Sequence, residues 1–280
     1  MRYLKLGLAV AAAIALSVNV ASAQNRKIKV ATEGAYAPWN FVNSQGKLEG
    51  FELDLGAELC KRAKLDCEFV AQDWEGIIPS LTGKKYDAIM AGMNITPKRM
   101  ETISFSVSYA VGPAGFLVLK SNPLAKLTGG EINFTSNLSA AEKAIEDLKP
   151  TLKGKVIGVQ VSTTHAAFAE KYLKGTAEVR EYKTTEQHDL DLAAGRIDAA
   201  LGAHSAFQAT IDKTPAGKDM TIVGPVMSGG PFGLGVAVGL RKEDKDLKDA
   251  FDAAIKSAIA DGMVKNLSIK WFKVDMTPKS

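Results

Sequence analysis

One phrase occurs twice in this chain, as KYDAIMAGM at 85–93 and RIDAALGAH at 196–204. Each follows a glycine, Gly83 or Gly195, that ends an amphipathic stretch, and each reads as a short apolar strand running into a loop. A strand that follows a helix C-cap directly is the signature of a βαβ crossover, whose parallel strands are covered on both faces. Two such phrases in separate halves require two α/β units of similar construction.

The pattern around each phrase fills in the units. In the first, residues 28–32 form a strand, 40–42 and 48–50 a hairpin around Ser44-Gln45-Gly46-Lys47, and 51–63 a helix. That helix carries Phe51, Leu55, Leu59 and Ala63 at a spacing of four, one face of an amphipathic helix. A strand at 67–70, a helix at 75–82 and a strand at 87–92 follow. In the second, strands fall at 116–120, 156–161, 179–182 and 197–202, with helices at 162–172 and 186–194. Residues 121–150 are polar, with a helical patch at 140–148, and read as an insertion. Strands at 222–225 and 236–240, a bend at Gly229-Gly230-Pro231, and helices at 245–261 and 263–272 complete the chain.

The first 23 residues have a different character. Arg2 and Lys5 precede an apolar run over 6–20, and Ala21-Ser22-Ala23 is an A-x-A cleavage site before Gln24. This is a secretory signal, too short for a stable span, with no cysteine after it to carry a lipid. The mature chain is expected in a Gram-negative periplasm. With Arg2 and Lys5 gone, the formal charge falls from +4 to +2, which leaves no electrostatic footprint for nucleic acid. Cys60 and Cys67 are the two cysteines, and export favours a disulfide between them. The alternative is a metal site, but no histidine lies near them in sequence.

Loops at the carboxyl ends of strands hold ligands in α/β folds. Here these are 33–39, 72–74 and 91–99 from one lobe, with 160–165 and 202–204 from the other, facing a cleft between lobes. Thr96 is a good N-cap and Pro97 suits the first helical position. Arg99 then puts a cation in the first turn, where the macrodipole favours an anion. It either clamps a ligand carboxylate, beside backbone groups of Ala91-Gly92-Met93-Asn94, or is a solvated surface arginine. Thr163 and Thr164 open a helix whose free N–H groups suit an anion. Glu33, beside Tyr36 and Trp39, with Trp74 on the next strand-end loop, suits a cationic group. The alternatives are packing for Tyr36, Trp39 and Trp74 and a solvated loop position for Glu33. His165 and His204 receive no role. Together these groups describe a zwitterion with a cationic end, a basic amino acid or a derivative of one.

Six stretches carry a family resemblance: ATEGAYAPWNF (31–41), GFELDL (50–55), IPSLTGKKYDAIMAGMNITPKR (78–99), GVQVSTTHAAF (158–168), AGRIDAAL (194–201) and VGLRKED (238–244). In this order and spacing the chain resembles the periplasmic substrate-binding proteins of polar amino-acid ABC importers, in the lysine/arginine/ornithine/histidine and opine branch. The resemblance implies a two-lobe (type II) periplasmic binding protein fold with a two-strand hinge closing over the ligand. Lobe 1 would comprise 24–111 and 230–280, lobe 2 112–229, and the hinge would lie near 111–114 and 225–230.

By position, Arg99 and the Thr164 N–H would hold the ligand α-carboxylate and Glu33 its distal cation. Tyr36 and Trp74 would sandwich the side chain, and Cys60–Cys67 matches the family's local disulfide. Plain basic amino-acid binders carry serines where this chain has Ala91 and Gly92, and an aspartate for the α-ammonium where it has Ala203. Those departures point to the opine group, with small Gly92 and Ala203 leaving room for the substituent on nitrogen. Asn94, Gln160 and Ser162 would offer hydrogen bonds around it. The implied function is a monomeric, cofactor-free receptor delivering an opine or basic amino acid to an inner-membrane permease. Two rivals are a dehydratase-like enzyme of the same fold and a sensor that hands its ligand-bound form to a chemoreceptor. An enzyme needs a proton-transfer pair in the cleft, and no nucleophile–base or metal spacing is present.

Overall fold

The computed structural model describes residues 26–278; the secretory leader expected over 1–23 lies outside them. Chain order begins β1 (Arg26–Thr32), β2 (Ala35–Tyr36), β3 (Asn40–Val42), β4 (Leu48–Glu49), α1 (Phe51–Arg62), β5 (Leu65–Ala71), α2 (Ile77–Thr82), β6 (Ala88–Ile89), α3 (Pro97–Met100) and β7 (Ser104–Phe105). It continues β8 (Ala114–Leu119), β9 (Glu131–Asn133), α4 (Leu138–Leu152), β10 (Val156–Gln160), α5 (Thr164–Tyr172), β11 (Glu178–Tyr182), α6 (Thr185–Ala193), β12 (Ala199–Ala203), α7 (His204–Lys213) and β13 (Met220–Ser228). The chain then returns through β14 (Gly239–Leu240), α8 (Lys245–Ala260) and α9 (Met263–Phe272).

Two sheets result, ordered β5-β1-β6-β14-β7 and β11-β10-β12-β8-β13-β9, with β2-β3-β4 as a small flap. Pairing of β1 with β5 and β6 is parallel, as is pairing of β10 with β11 and β12. This is the two-lobe α/β fold. The repeated phrase does the same work in both sheets. Asp87 accepts from the Lys29 N–H at 2.9 Å, and Asp198 accepts from the Val156 N–H at 2.9 Å. Each aspartate thus ties its own strand to the start of the neighbouring parallel strand. Buried Arg241, from the VGLRKED stretch, reinforces the first knot. It donates to the Tyr86 carbonyl at 2.5 Å and pairs with Asp87 at 2.9 Å and Asp244 at 2.7 Å.

Several elements differ from the pattern. The 121–150 stretch is part of the second sheet, since β9 pairs with β13 in parallel as its edge strand. The helix there is longer than 140–148: Asn137 caps it by accepting from Ala140, and Ala141, Ile145 and Leu152 are buried. Residues 204–213, to which the pattern assigns nothing, form α7. Its buried positions are Ala206, Phe207 and Ala209, and no side chain caps it, so two alanines and one ring carry its apolar face. β13 is longer than 222–225 because a bulge between Val223 and Met227 absorbs Gly224 and Pro225; proline cannot donate to a ladder. β6 and β14 are shorter than expected. Beyond β6 the chain turns at Gly92 (φ 60°), and Val236 makes only isolated bridges, to Asn94 and Ala110. Cys60 and Cys67 are disulfide-bonded, linking α1 to β5.

Candidate functional site

The floor of the first half-site is built on a buried carboxylate that the pattern did not single out. Glu52, fully buried on α1, accepts from Asn40 Nδ2 at 2.6 Å, from the Gly92 N–H at 2.8 Å and from the Tyr109 hydroxyl. Burial pushes this carboxyl up, while its three donors hold it down. The result fixes the turn after β6, so the 91–94 loop is set within one lobe. GFELDL contained the signal, an acid on the apolar side of an amphipathic helix.

Gly92 also has a reason within its own lobe. Its φ of 60° is left-handed, and a Cβ there would lie 2.8 Å from the Tyr36 ring. The missing side chain makes room for Tyr36, which therefore packs over the turn. Gly92→Ala is expected to displace that ring and to cost roughly 1–2 kcal/mol of backbone strain. A thermal melt unchanged from wild type, together with unchanged ligand affinity, would refute this account.

Most of the expected residues meet around one cavity between the sheets: Glu33, Tyr36, Trp74, Ala91, Gly92, Asn94 and Arg99 from one side, and Gln160, Thr163, Thr164 and Ala203 from the other. Two do not. The Met93 side chain is fully buried in the lobe 1 core. Ser162 turns at φ 60° and contributes its backbone carbonyl, which accepts from Arg99 Nη2 at 3.1 Å. Trp39 does both: it lines the same cavity, while being 2% exposed and edge-on to Phe51 at 5.6 Å. Among the expected residues without a role, His165 lines the cavity, as do Thr185 and His188, which the pattern missed. His204 instead packs against Gly115, where a side chain on residue 115 would collide with its ring.

The two lobes are latched across the cleft. Trp74 Nε1 donates to the Val161 carbonyl at 3.1 Å, and Trp39 Nε1 donates to Ser205 Oγ at 2.9 Å. Gln160 Nε2 donates to Glu33 Oε1 at 2.6 Å. Arg99 spans the gap, with Nη1 on the Asn94 carbonyl at 2.8 Å, Nη2 on Ser162 and its guanidinium 5.1 Å from the Trp74 ring centre. Thr96 caps the turn that carries it by accepting from the Arg99 N–H at 3.2 Å. Thr163 caps α5, accepting from Ala166 at 3.1 Å.

Electrostatically the cavity has two ends. Burial pushes the Glu33 carboxyl up to about 7, against the Gln160 hydrogen bond that lowers it, and the charges bearing on it are the acids Glu52 and Asp73. Burial brings the Arg99 guanidinium down to about 10. His165 falls to about 3, by burial first and then through its neighbours His188 and Arg99, so it is neutral. A desolvated acid at one end and a desolvated cation at the other are complementary to a ligand carrying both charges. Both wall groups pay for burial when no ligand charge meets them.

The chain matches the family model described as bacterial extracellular solute-binding proteins, family 3, over residues 28–274. It is 46% identical over 287 residues to the octopine-binding periplasmic protein of Rhizobium meliloti, covering 95% of this chain and 97% of that one. It is 34% identical to the histidine-binding periplasmic protein of Salmonella typhimurium, over 99% of each. Among solved structures, it superposes with a TM-score of 0.72 on a periplasmic His/Glu/Gln/Arg/opine family-binding protein from Silicibacter pomeroyi in complex with lysine. That pair is 32% identical and covers 90% of this chain and 100% of the other.

Proposed function

The chain belongs to the bacterial extracellular solute-binding proteins, family 3, and we propose that the solute it receives is an opine, an N-carboxyalkylated basic amino acid. It is a solute-binding receptor of the kind that serves ABC importers, and its relatives are binding proteins, which points to the periplasm. The finer roles are part of the proposal. Arg99 and the N-terminus of α5 take the α-carboxylate, Glu33 takes the distal cation, and Tyr36 and Trp74 flank the side chain. Lobe 1 (24–111 and 230–280) and lobe 2 (112–229) pivot near 111–114 and 225–230. Export with cleavage after Ala23, a monomeric state and delivery to an inner-membrane permease complete the reading.

The observation that carries the opine assignment is Ala203. It lines the cavity at the end of β12 and offers only a methyl group. A free α-ammonium sealed beside it lacks a counter-charge, and burying a bare charge is expensive. An opine carries its own second carboxylate on that nitrogen, which offsets the charge. The similarity to an octopine-binding protein supports the same reading.

The experiment is calorimetric titration of wild type and Ala203→Asp with octopine and with arginine. Wild type is expected to prefer octopine, and Ala203→Asp to lose at least about tenfold for octopine and gain for arginine. Ala203 is also the uncapped N-cap of α7, so the aspartate is expected to stabilise the fold by about 1 kcal/mol. Tight arginine binding by wild type with no response to octopine would overturn the assignment.

A further inference from the structure

One buried polar group at the cavity is left over. His188, in the first turns of α6, is 0% exposed and lines the same cavity as Ala203. Its Nδ1 lies 2.9 Å from Asp189 Oδ1, and Asp189 Oδ2 accepts from Thr210 Oγ1 at 2.6 Å. The ring stands edge-on between Tyr182 at 6.1 Å and Phe207 at 6.2 Å, and its Cβ lies 3.1 Å from where a side chain on Gly158 would begin. Its orientation is thus fixed by an anion on one nitrogen and aromatic walls on both sides. Its Nε2 is buried with no hydrogen-bond partner among the described residues.

Such a nitrogen costs free energy while it is unmet, and natural structures keep few of them. The Asp189 carboxylate can only accept, so in the neutral imidazole the proton belongs on Nδ1 and the lone pair on Nε2. What Nε2 lacks is an N–H donor, and residue 203, which lines the same cavity, has no acid.

We propose that His188 Nε2 is the acceptor for the ligand's substituted α-nitrogen. This rests on the opine reading and adds its missing half. A carboxylate at this wall would match a free α-ammonium of full charge. An uncharged lone pair matches a secondary ammonium already flanked by two carboxylates, since it accepts the N–H without repelling the added acid. His188 and Ala203 together then set the preference for substituted over free amino acids, with Asp189 and Thr210 positioning the ring.

The test titrates wild type, His188→Leu and His188→Gln with octopine and arginine at pH 8, and follows the imidazole nitrogens of the full mature chain by ¹⁵N NMR. Octopine affinity is expected to fall at least about tenfold in His188→Leu, with partial recovery in His188→Gln, whose amide oxygen accepts. In wild type, octopine is expected to shift the His188 Nε2 resonance and leave Nδ1 in place, a change that a merely structural ring would not show. Octopine binding by His188→Leu within threefold of wild type would overturn the proposal while leaving the opine reading intact. If His188→Leu does not fold, a stationary Nε2 resonance in octopine-saturated wild type overturns it equally. Wild type that binds no opine removes the reading and this proposal with it.

Discussion

Replacing Arg99 with alanine is expected to weaken binding of a carboxylate-bearing ligand by roughly 3–5 kcal/mol. Arg99 donates to two backbone carbonyls and stacks on Trp74, and neither kind of contact neutralises its charge. A ligand carboxylate supplies that neutralisation inside a closed cleft, so truncation leaves the acid buried and unpaired. The same change removes the bridge to Ser162, which adds to the loss. Arg99→Lys keeps the charge but not the planar fork, and is expected to recover only part of it. No residue of the single-turn helix that carries Arg99 belongs to the apolar core, so the melting temperature is expected to stay near that of wild type. Calorimetry giving Arg99→Ala an affinity within threefold of wild type would remove Arg99 from the carboxylate site.

Without ligand, closure of the cleft is expected to depend on pH through Glu33. In the closed form its carboxyl sits near 7, raised by burial; opened to water it returns towards the ordinary value of about 4.3. The closed form therefore holds the proton more tightly. Closure is unopposed by Glu33 below about pH 4.3, is increasingly opposed as pH rises, and carries a penalty of about 4 kcal/mol above pH 7. His165, brought down to about 3, acts in the opposite sense at low pH, so the comparison is with Glu33→Gln. Small-angle scattering of ligand-free protein at pH 5 and 8 should show wild type opening more than Glu33→Gln over that interval. Saturating octopine should compact wild type at both pH values, because the ligand cation replaces the proton. Parallel behaviour of the two proteins would discard the Glu33 account, and an unchanged radius of gyration on ligand addition would discard the hinge.

The two α/β units were legible because parallel strands and amphipathic helices leave periodic marks, and because the repeated phrase marks the same strand in each unit. What the sequence concealed was set by distance along the chain or by weak pattern. α7 was hidden because two of its three buried positions are alanine. β9 was hidden in a polar stretch because an edge strand of three residues has one buried position, Ile132. In the site, Arg99, Thr96 and Thr163 were readable from helix-start chemistry. Glu52 and His188 were not singled out: the partners of Glu52 lie 12, 40 and 57 residues away in sequence, and His188 is enclosed by Tyr182 and Phe207, which only folding brings to it. Gly92 was readable as important, but the close approach of the Tyr36 ring to it was not.

The acceptors of the Trp74 and Arg99 latches are main-chain oxygens, those of Val161 and Ser162. A carbonyl is present whatever residue occupies its position. The fastening between lobes at this point is therefore insulated from the identity of the side chain at 161, while the left-handed backbone at 162 (φ 60°) still restricts which residues fit there. Selectivity, in the proposed reading, resides in side chains such as those at 33, 188 and 203. Glu33 also fastens the lobes through Gln160, whereas positions 188 and 203 make no contact with the Trp74 and Arg99 clasp, so an engineer can alter the preference at those two positions without redesigning it.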